Sequence, residues 1–273
     1  VFACRHRAEF LALAIFFSRV KQTSVTMPVF LIIPTYNERE NIEPLLVAIR
    51  SLAVPDLRVL IVDDCSPDGT GAFADSLRER FAWLTVLHRE KKDGLGSAYR
   101  AGFAYVLDHG AEFVMEMDAD FSHPPAMIPQ LLAAAQNADL VIGSRYAQGG
   151  KIENWNLARR MISRFGNWYA QFVLRVPVND MTAGFKCFRA SALRSINALS
   201  SASLGYHFQI ELTYLAVRKG LRVQELPITF TERRLGRSKF HLRIVLESMI
   251  GVWKLKRGHG TRDKGQKETQ QEF

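Results

Sequence analysis

The sequence predicts an α/β fold: a largely parallel, doubly wound sheet with helices on both faces. Three observations predict it. Short continuous apolar runs, such as Val29 to Ile33 and Leu57 to Val62, are what strands buried on both faces require. Strand-like runs alternate five times with stretches of helical periodicity, the grammar of a parallel sheet. Acidic and turn-forming residues follow several of the runs, and ligands of such sheets gather at the carboxyl ends of the strands.

Taken in order, Val29 to Ile33 is the first strand, which Pro34 is expected to end, and a helix follows from about Arg39 to Leu52. Leu57 to Val62 repeats the strand signature and stops at Asp63-Asp64, with Ser66, Pro67, Asp68 and Gly69 as turn residues. Phe73, Leu77 and Phe81, four apart, predict one buried helical stripe. Next come a strand near Thr85 to Leu87, a loop from Lys91 to Gly96, a helix to about His109 closed by Gly110, and a strand from Glu112 to Met117. Pro124 and Pro125 suit the start of a helix reaching Asn137, and Asp139 to Gly143 is a fifth strand. Beyond Tyr146 the alternation breaks down. There the pattern predicts helices near Leu157 to Leu174 and Phe208 to Lys219, strands near Phe185 to Phe188 and Arg222 to Phe230, and a last helix from about Phe240 to Leu255.

Composition narrows the classes. The 273 residues are 48% hydrophobic and 23% charged, ordinary for a globular chain. No run of 18 or more predominantly apolar residues is present, so a spanning helix is not expected. Cys4, Cys65 and Cys187 are odd in number, far apart and form no CxxC pair. They predict neither a disulfide framework nor a structural zinc site, and fit a reducing, cytoplasmic setting. The net charge of +9 is unevenly spread: residues 27–150 carry ten basic and seventeen acidic side chains, residues 151–257 nineteen and six. A strongly basic half points to a polyanionic partner, whether nucleic acid, phosphorylated substrate or anionic lipid.

The ends of the chain are expected to be accessory. Residues 1–26 resemble a signal peptide only superficially, because the apolar core Phe10 to Phe17 is short and no small-x-small site follows. They are read as an extension upstream of a start at Met27. Residues 258–273 are polar, unpatterned and expected to be disordered.

Several chemistries lack their motifs. Gly94-Leu-Gly96 has Tyr99 where a dinucleotide fingerprint needs its third glycine, and neither a P-loop nor a Gly-x-Ser-x-Gly elbow occurs. What remains are carboxylates at strand ends. Asp63-Asp64 closes one strand and Asp118-Ala119-Asp120 another. Residues two apart in an extended segment point the same way, so Asp118 and Asp120 can share one hard cation. Such a pair suits Mg2+ or Mn2+, with diphosphate oxygens and water completing the shell. His123 lacks a second metal-ligating residue at helical spacing and is expected to hydrogen-bond behind the Asp loop. Glu211 is read as a partner for a nearby Arg rather than as a base.

Four segments in order, Pro34-Thr-Tyr36-Asn-Glu38, Val62-Asp63-Asp64, Asp118-Ala-Asp120-Phe-Ser122-His and Gly143-Ser-Arg145-Tyr, resemble the family 2, GT-A-fold glycosyltransferases. Gly149-Gly-Lys-Ile-Glu-Asn-Trp155, Asp180-Met-Thr-Ala-Gly184-Phe and Arg233-Arg-Leu-Gly236-Arg-Ser-Lys239 are similar to the dolichol- or polyprenol-phosphate mannosyltransferases within it. The likeness runs from about Val29 to Lys239, so residues 27–239 are expected to form a single catalytic domain on a Rossmann-like sheet. It implies GDP-mannose as donor, a polyprenyl or dolichyl monophosphate as acceptor, transfer with inversion, and a divalent cation. It also places Pro34, Tyr36, Glu38, Val62 and Asp64 around the nucleotide, and Asp118, Ala119, Asp120 and Ser122 in the metal and diphosphate loop, with Asp118, Asp120 and Ser122 as the metal residues. Arg145, Arg159, Arg233 and Lys239 fall near the donor and acceptor phosphates.

A lipid acceptor implies peripheral contact with the cytoplasmic face of a membrane. Residues 240–257, apolar on one face and basic near the end, are expected either to lie among headgroups or to pack on the sheet. Two other readings stay open: a polyprenyl-phosphate glucosyltransferase, and a basic nucleic-acid-binding module with a vestigial nucleotide pocket. Residues 231–239 contain no aromatic to stack on bases, which counts against nucleic acid.

Overall fold

The computed structural model describes residues 27–201, 203, 207–232 and 249–257. Strand β1 (Val29–Thr35) lies inside a seven-stranded sheet with β2 (Leu57–Asp63), β3 (Leu84–His88), β4 (Phe113–Glu116), β5 (Leu140–Ser144), β7 (Lys186–Arg189) and β8 (Val223–Pro227), in the order β3-β2-β1-β4-β7-β5-β8. Two short strands, β6 (Lys151–Ile152) and β9 (Thr229–Phe230), pair separately.

Alternation along β1 assigns the two cores. Val29, Leu31 and Ile33 face the layer of α1 (Arg39–Arg50), α2 (Thr70–Ser76) and α4 (Ile128–Ala135). Phe30 and Ile32 face the layer of α3 (Leu95–Asp108), α5 (Leu157–Leu174), α6 (Ala190–Ser195) and α7 (His207–Arg218). Both faces of the strand are therefore buried, which is why its sequence is apolar throughout rather than alternating.

Three expectations are corrected. Strand β1 continues through Pro34 to Thr35. Ile32 faces β4, accepting from the Met117 amide, and Thr35 faces β2, accepting from Asp64. Pro34 thus faces β4 beyond the end of that ladder, where its missing N–H forgoes no bond. The stripe from Phe73 to Phe81 is not one helix: α2 stops at Ser76, and Arg80 bonds back to Leu77 in a tighter turn that still buries Leu77 and Phe81. The strand expected over Arg222 to Phe230 divides at Ile228, whose N–H reaches Ser144 of β5 while its carbonyl serves Lys151 of β6. The sheet is largely parallel as expected, with β7 entering antiparallel between β4 and β5. A short strand returning from the far side of the chain carries no direction signal in its sequence.

The Gly-Leu-Gly segment also has a packing explanation. Tyr99 is buried and stacks on Phe103 and Phe208, each at 6.1 Å between ring centroids. A Cβ on Gly96 would come within 2.5 Å of the Ser203 carbonyl, so close approach of backbone requires glycine there.

Candidate active site

The first strand ends sit side by side, Thr35 in register with Asp63. The Asp63 carboxylate accepts from the Thr35 hydroxyl at 3.1 Å and from the Ser66 hydroxyl at 2.6 Å and amide at 3.0 Å. Asp64 meets the Arg89 guanidinium, which also donates to Ser97. Burial pushes the Asp64 carboxyl above its ordinary value, and the Arg89 charge opposes the rise. Nearby, Glu38 accepts from Asn41 at 2.8 Å, and the Lys92 ammonium lies 3.6 Å from the centroid of the Tyr36 ring. Pro34, Tyr36, Glu38, Val62 and Asp64 thus gather at the carboxyl ends of β1 and β2.

The residues after β4 do something different. Asp118, Asp120 and Ser122 line a cavity of about 160 Å³, together with Arg145, Trp155 and Arg159. The loop is held from behind. The Asp118 amide donates to His123 Nδ1 at 3.1 Å, and the His123 ring is buried between Phe185 and Phe230. Burial pushes the His123 pKa down to about 4, so the ring is neutral with Nδ1 as acceptor near pH 7. It therefore acts as the hydrogen-bonding support expected of it. The Ser122 amide closes onto Asp120 Oδ1 at 3.0 Å, Phe121 adopts a left-handed φ of 62°, and Thr231 bonds the Phe121 and Ser122 carbonyls. Below the loop, Glu116 and Lys186 are cross-strand neighbours, both fully buried. Burial raises Glu116 to about 7 against the Lys186 charge, and lowers Lys186 to about 8. Two hydrogen bonds from Lys186 to Gln209, at 2.8 and 2.6 Å, fix another residue of the cavity lining.

The basic side is equally constrained. Arg145 follows β5 and grips Asp180 with Nε at 2.8 Å and Nη2 at 2.7 Å, a planar fork matched to a carboxylate, while Nη2 also donates to Thr182. Asp180 is fully buried. Burial would raise its carboxyl, but the Arg145 charge and hydrogen bonds outweigh that and hold it below the ordinary range. Arg159 stands one turn into α5, whose N-cap Asn156 accepts the Arg159 amide at 2.8 Å. Its guanidinium pairs with Glu232 at 2.7 Å and stacks 4.1 Å over Trp155. Two predicted basic residues, Arg233 and Lys239, lie outside the described residues, as do residues 1–26, 240–248 and 258–273.

A test of fit to a divalent cation rests on these residues. Among the described residues no group of three or more His, Cys, Asp or Glu is arranged to hold a metal by itself. Two carboxylates and the Ser122 hydroxyl, whose buried oxygen has no hydrogen-bond partner among the described residues, line one cavity. That donor set suits a hard ion that takes its remaining ligands from phosphate oxygens and water. Gly184 also lines the cavity, where a Cβ would make ordinary contacts of 3.4 Å with His123 and 3.9 Å with Asp118 Oδ1.

Sequence reasoning missed Tyr169, Thr182, Gln209 and Met249, which also line the cavity. They arrive from α5, the approach to β7, α7 and the helical residues 249–257, and nothing local marks them. Thr182 and Gly184 belong to a segment singled out by resemblance without any role given to Thr182. Among the described residues Glu211 meets Ser201, whose hydroxyl donates to its carboxylate at 2.5 Å, and no arginine.

Comparison with known proteins identifies relatives in sequence and in fold. Undecaprenyl-phosphate mannosyltransferase of Micrococcus luteus is 48% identical over 226 residues, which are 83% of this chain and 93% of that protein. Polyprenol monophosphomannose synthase of Mycolicibacterium smegmatis is 47% identical over 232 residues, covering 83% and 86%. Among solved structures, glucosyl-3-phosphoglycerate synthase of Mycobacterium tuberculosis in complex with Mn2+, uridine-diphosphate-glucose and phosphoglyceric acid superposes with a TM-score of 0.65 at 18% identity, over 85% of this chain and 80% of that one. Its complex with uridine-diphosphate gives 0.62. Those two show a shared fold. The model of Glycosyl transferase family 2 matches residues 30–196, from the first strand through the aspartate loop and the basic wall to α6, and the chain belongs to that family.

Proposed function

We propose that the protein transfers mannose from GDP-mannose to the phosphate of a polyprenyl phosphate, with inversion, using Mg2+ or Mn2+ held by Asp118 and Asp120 with Ser122. One observation carries the reading: a single cavity is lined both by the aspartate loop and by Arg145 and Arg159. The names of the relatives of nearly half identity supply the sugar and the lipid class, and the manganese and nucleotide-sugar complexes of the structural neighbour support a divalent cation.

The acceptor decides what the protein must contribute. A phosphate monoester has its second pKa near 6 and is largely a dianion at neutral pH, already nucleophilic. Its oxygen attacks the anomeric carbon as the bond from that carbon to the donor diphosphate breaks, and one in-line displacement inverts the centre. No proton has to be removed. That agrees with a site whose histidine is a buried acceptor. A bound divalent cation supplies neutralisation of charge on the leaving diphosphate. Arg145 and Arg159 bring positive charge to the acceptor side, pre-oriented by Asp180 and Glu232, so little reorganisation is needed when a phosphate enters. Arg233 and Lys239 complete that side by resemblance.

No helix among the described residues is long and apolar enough to cross a membrane. A lipid-borne acceptor then calls for peripheral contact, on the cytoplasmic face where nucleotide sugars are available. The test is incubation of purified full-length protein with radiolabelled GDP-mannose, polyprenyl phosphate and a divalent cation. Organic-soluble label is expected, lost on chelation and competed by GDP rather than UDP. Absence of labelled lipid, or preferential competition by UDP, overturns the assignment.

A further inference from the structure

Two buried charges beneath the aspartate loop take no part in the transfer itself. Lys186 and Glu116 are both fully buried and are cross-strand neighbours in β7 and β4. Alternation along the strands places them on the face that packs against α3 and α7, the face that Val114 and Phe188 also share. On that side the Tyr99 ring stacks on Phe208, and Gln209 follows in α7. The Lys186 ammonium gives two hydrogen bonds to Gln209, one to its carbonyl and one to its Oε1. The rest of this polar island is poorly satisfied. The Tyr99 hydroxyl, both Glu116 carboxylate oxygens and Gln209 Nε2 are buried with no hydrogen-bond partner among the described residues, although the Gln209 side chain is near enough to act on Glu116.

Such an island is a poor way to gain stability. Taking two charges out of water is offset by their attraction only when the remaining donors and acceptors are met, and apolar residues of similar volume often stabilise as well or better. Departures from local rules of this kind gather at functional sites. Position says what this one does. In the sheet β7 lies between β4 and β5, and Lys186 is in register with Glu116 on one side and with Ile142 on the other. Glu116 stands two residues before Asp118, and Ile142 three before Arg145. Asp118, Arg145 and Gln209 all line the cavity. The Lys186 charge is also felt by Asp180, the buried partner of Arg145. One ammonium thus joins the aspartate strand, the arginine strand and α7 directly behind the residues that line the site.

We propose that Lys186 is a positioning residue for the transfer: facing Glu116 and bonded to Gln209, it fixes the aspartate loop, the Arg145 segment and the start of α7 relative to one another. The consequence for turnover rests on the mannosyl-transfer reading; the consequence for the backbone does not. A misplacement of about 1 Å in groups that align two reactants costs about a hundredfold in rate, so a site that must align a donor and an acceptor phosphate gains more from a fixed spacer than from extra stability.

The experiment uses the full chain and the variant Glu116→Gln/Lys186→Met, which removes both charges at nearly constant volume. Urea unfolding, steady-state turnover on GDP-mannose and a prenyl phosphate, and hydrogen exchange read by mass spectrometry are compared with wild type. The unfolding midpoint is expected to equal or exceed that of wild type. The value of kcat is expected to fall at least about tenfold with KM for both substrates within about twofold. Amide exchange should quicken at residues 117–123 and 207–213 while β1 and β2 stay protected. If the double variant does not fold, Glu116→Gln alone, which keeps the side-chain shape, is read in the same way and should show the same split at smaller size. A folded variant with wild-type kcat, or with unchanged exchange at those residues, overturns the proposal. So does a variant that is less stable yet has wild-type kcat per folded molecule, which makes the pair a stability element. Exchange is read without substrate, so it decides the positioning role even where wild type transfers no mannose and the functional reading itself falls.

Discussion

At the end of β2, Asp63 spends its carboxylate on Thr35 and Ser66 and Asp64 meets Arg89; at the end of β4, Asp118 and Asp120 line the cavity beside a Ser122 hydroxyl that has no partner among the described residues. The residue type and the place on the sheet are the same. The difference lies in the neighbouring loops. After β2 a tight turn delivers the Ser66 hydroxyl and amide back to Asp63, so negative charge is consumed in fixing the backbone. After β4 the loop is braced by His123 and Thr231, which bond the backbone of Asp118, Phe121 and Ser122. Backbone bracing places both carboxylates on the cavity, although Asp120 also accepts the Ser122 amide of its own loop. A similar contrast holds on the basic wall, where Arg145 is locked by a buried aspartate and Arg159 by a more exposed glutamate.

Substitutions can break this comparison. The largest effect is expected from Asp120→Ala, which should lower turnover by about a hundredfold or more while the protein stays folded; near-normal turnover of purified variant would remove Asp120 from the reaction. Asp180→Asn comes next. It leaves the Arg145 charge without its buried partner, at a cost of about 3–5 kcal/mol in urea unfolding. The acid limb should change as well. Because Asp180 is held below its ordinary carboxyl value, its contribution to stability is present above about pH 4, the unfolded value, and is lost as pH falls through the folded one. The variant should therefore show a shallower loss of stability in acid than wild type. Asp63→Ala should cost about 1–3 kcal/mol by orphaning hydrogen-bond donors, with turnover of the folded fraction within a few-fold of wild type. If Asp63→Ala instead abolishes turnover at normal stability, the contrast between the two strand ends is wrong. The smallest effect is expected from Glu232→Gln, which removes a half-exposed ion pair worth less than about 1 kcal/mol. Loss of the orientation of Arg159 should raise KM for the prenyl phosphate a few-fold without changing kcat; a lowered KM would mean that Glu232 competes with the phosphate instead of orienting Arg159.

Much of this was legible beforehand. The apolar runs located every long strand because a strand covered on both faces has no polar side to show. Asp118, Asp120, Arg145 and Arg159 were marked by carboxylate spacing and by resemblance, and the fold brings all four to one cavity. Tyr169, Gln209 and Met249 were not marked, since a cavity lining assembled from three distant helices leaves no spacing to detect. Glu211 carried an expectation of an arginine partner, and among the described residues it meets Ser201.

By itself the sequence determined which segments would be strands, where carboxylates would stand at their ends, and that the second half would be basic, because periodicity and charge are local or additive properties. The tertiary structure alone decided the rest. It set β7 antiparallel, engaged Arg145 with an aspartate thirty-five positions away, and chose which face of α5 to bury. That helix is apolar on two sides, so its pattern could not say which one water would meet; only packing against the sheet and the neighbouring helices could.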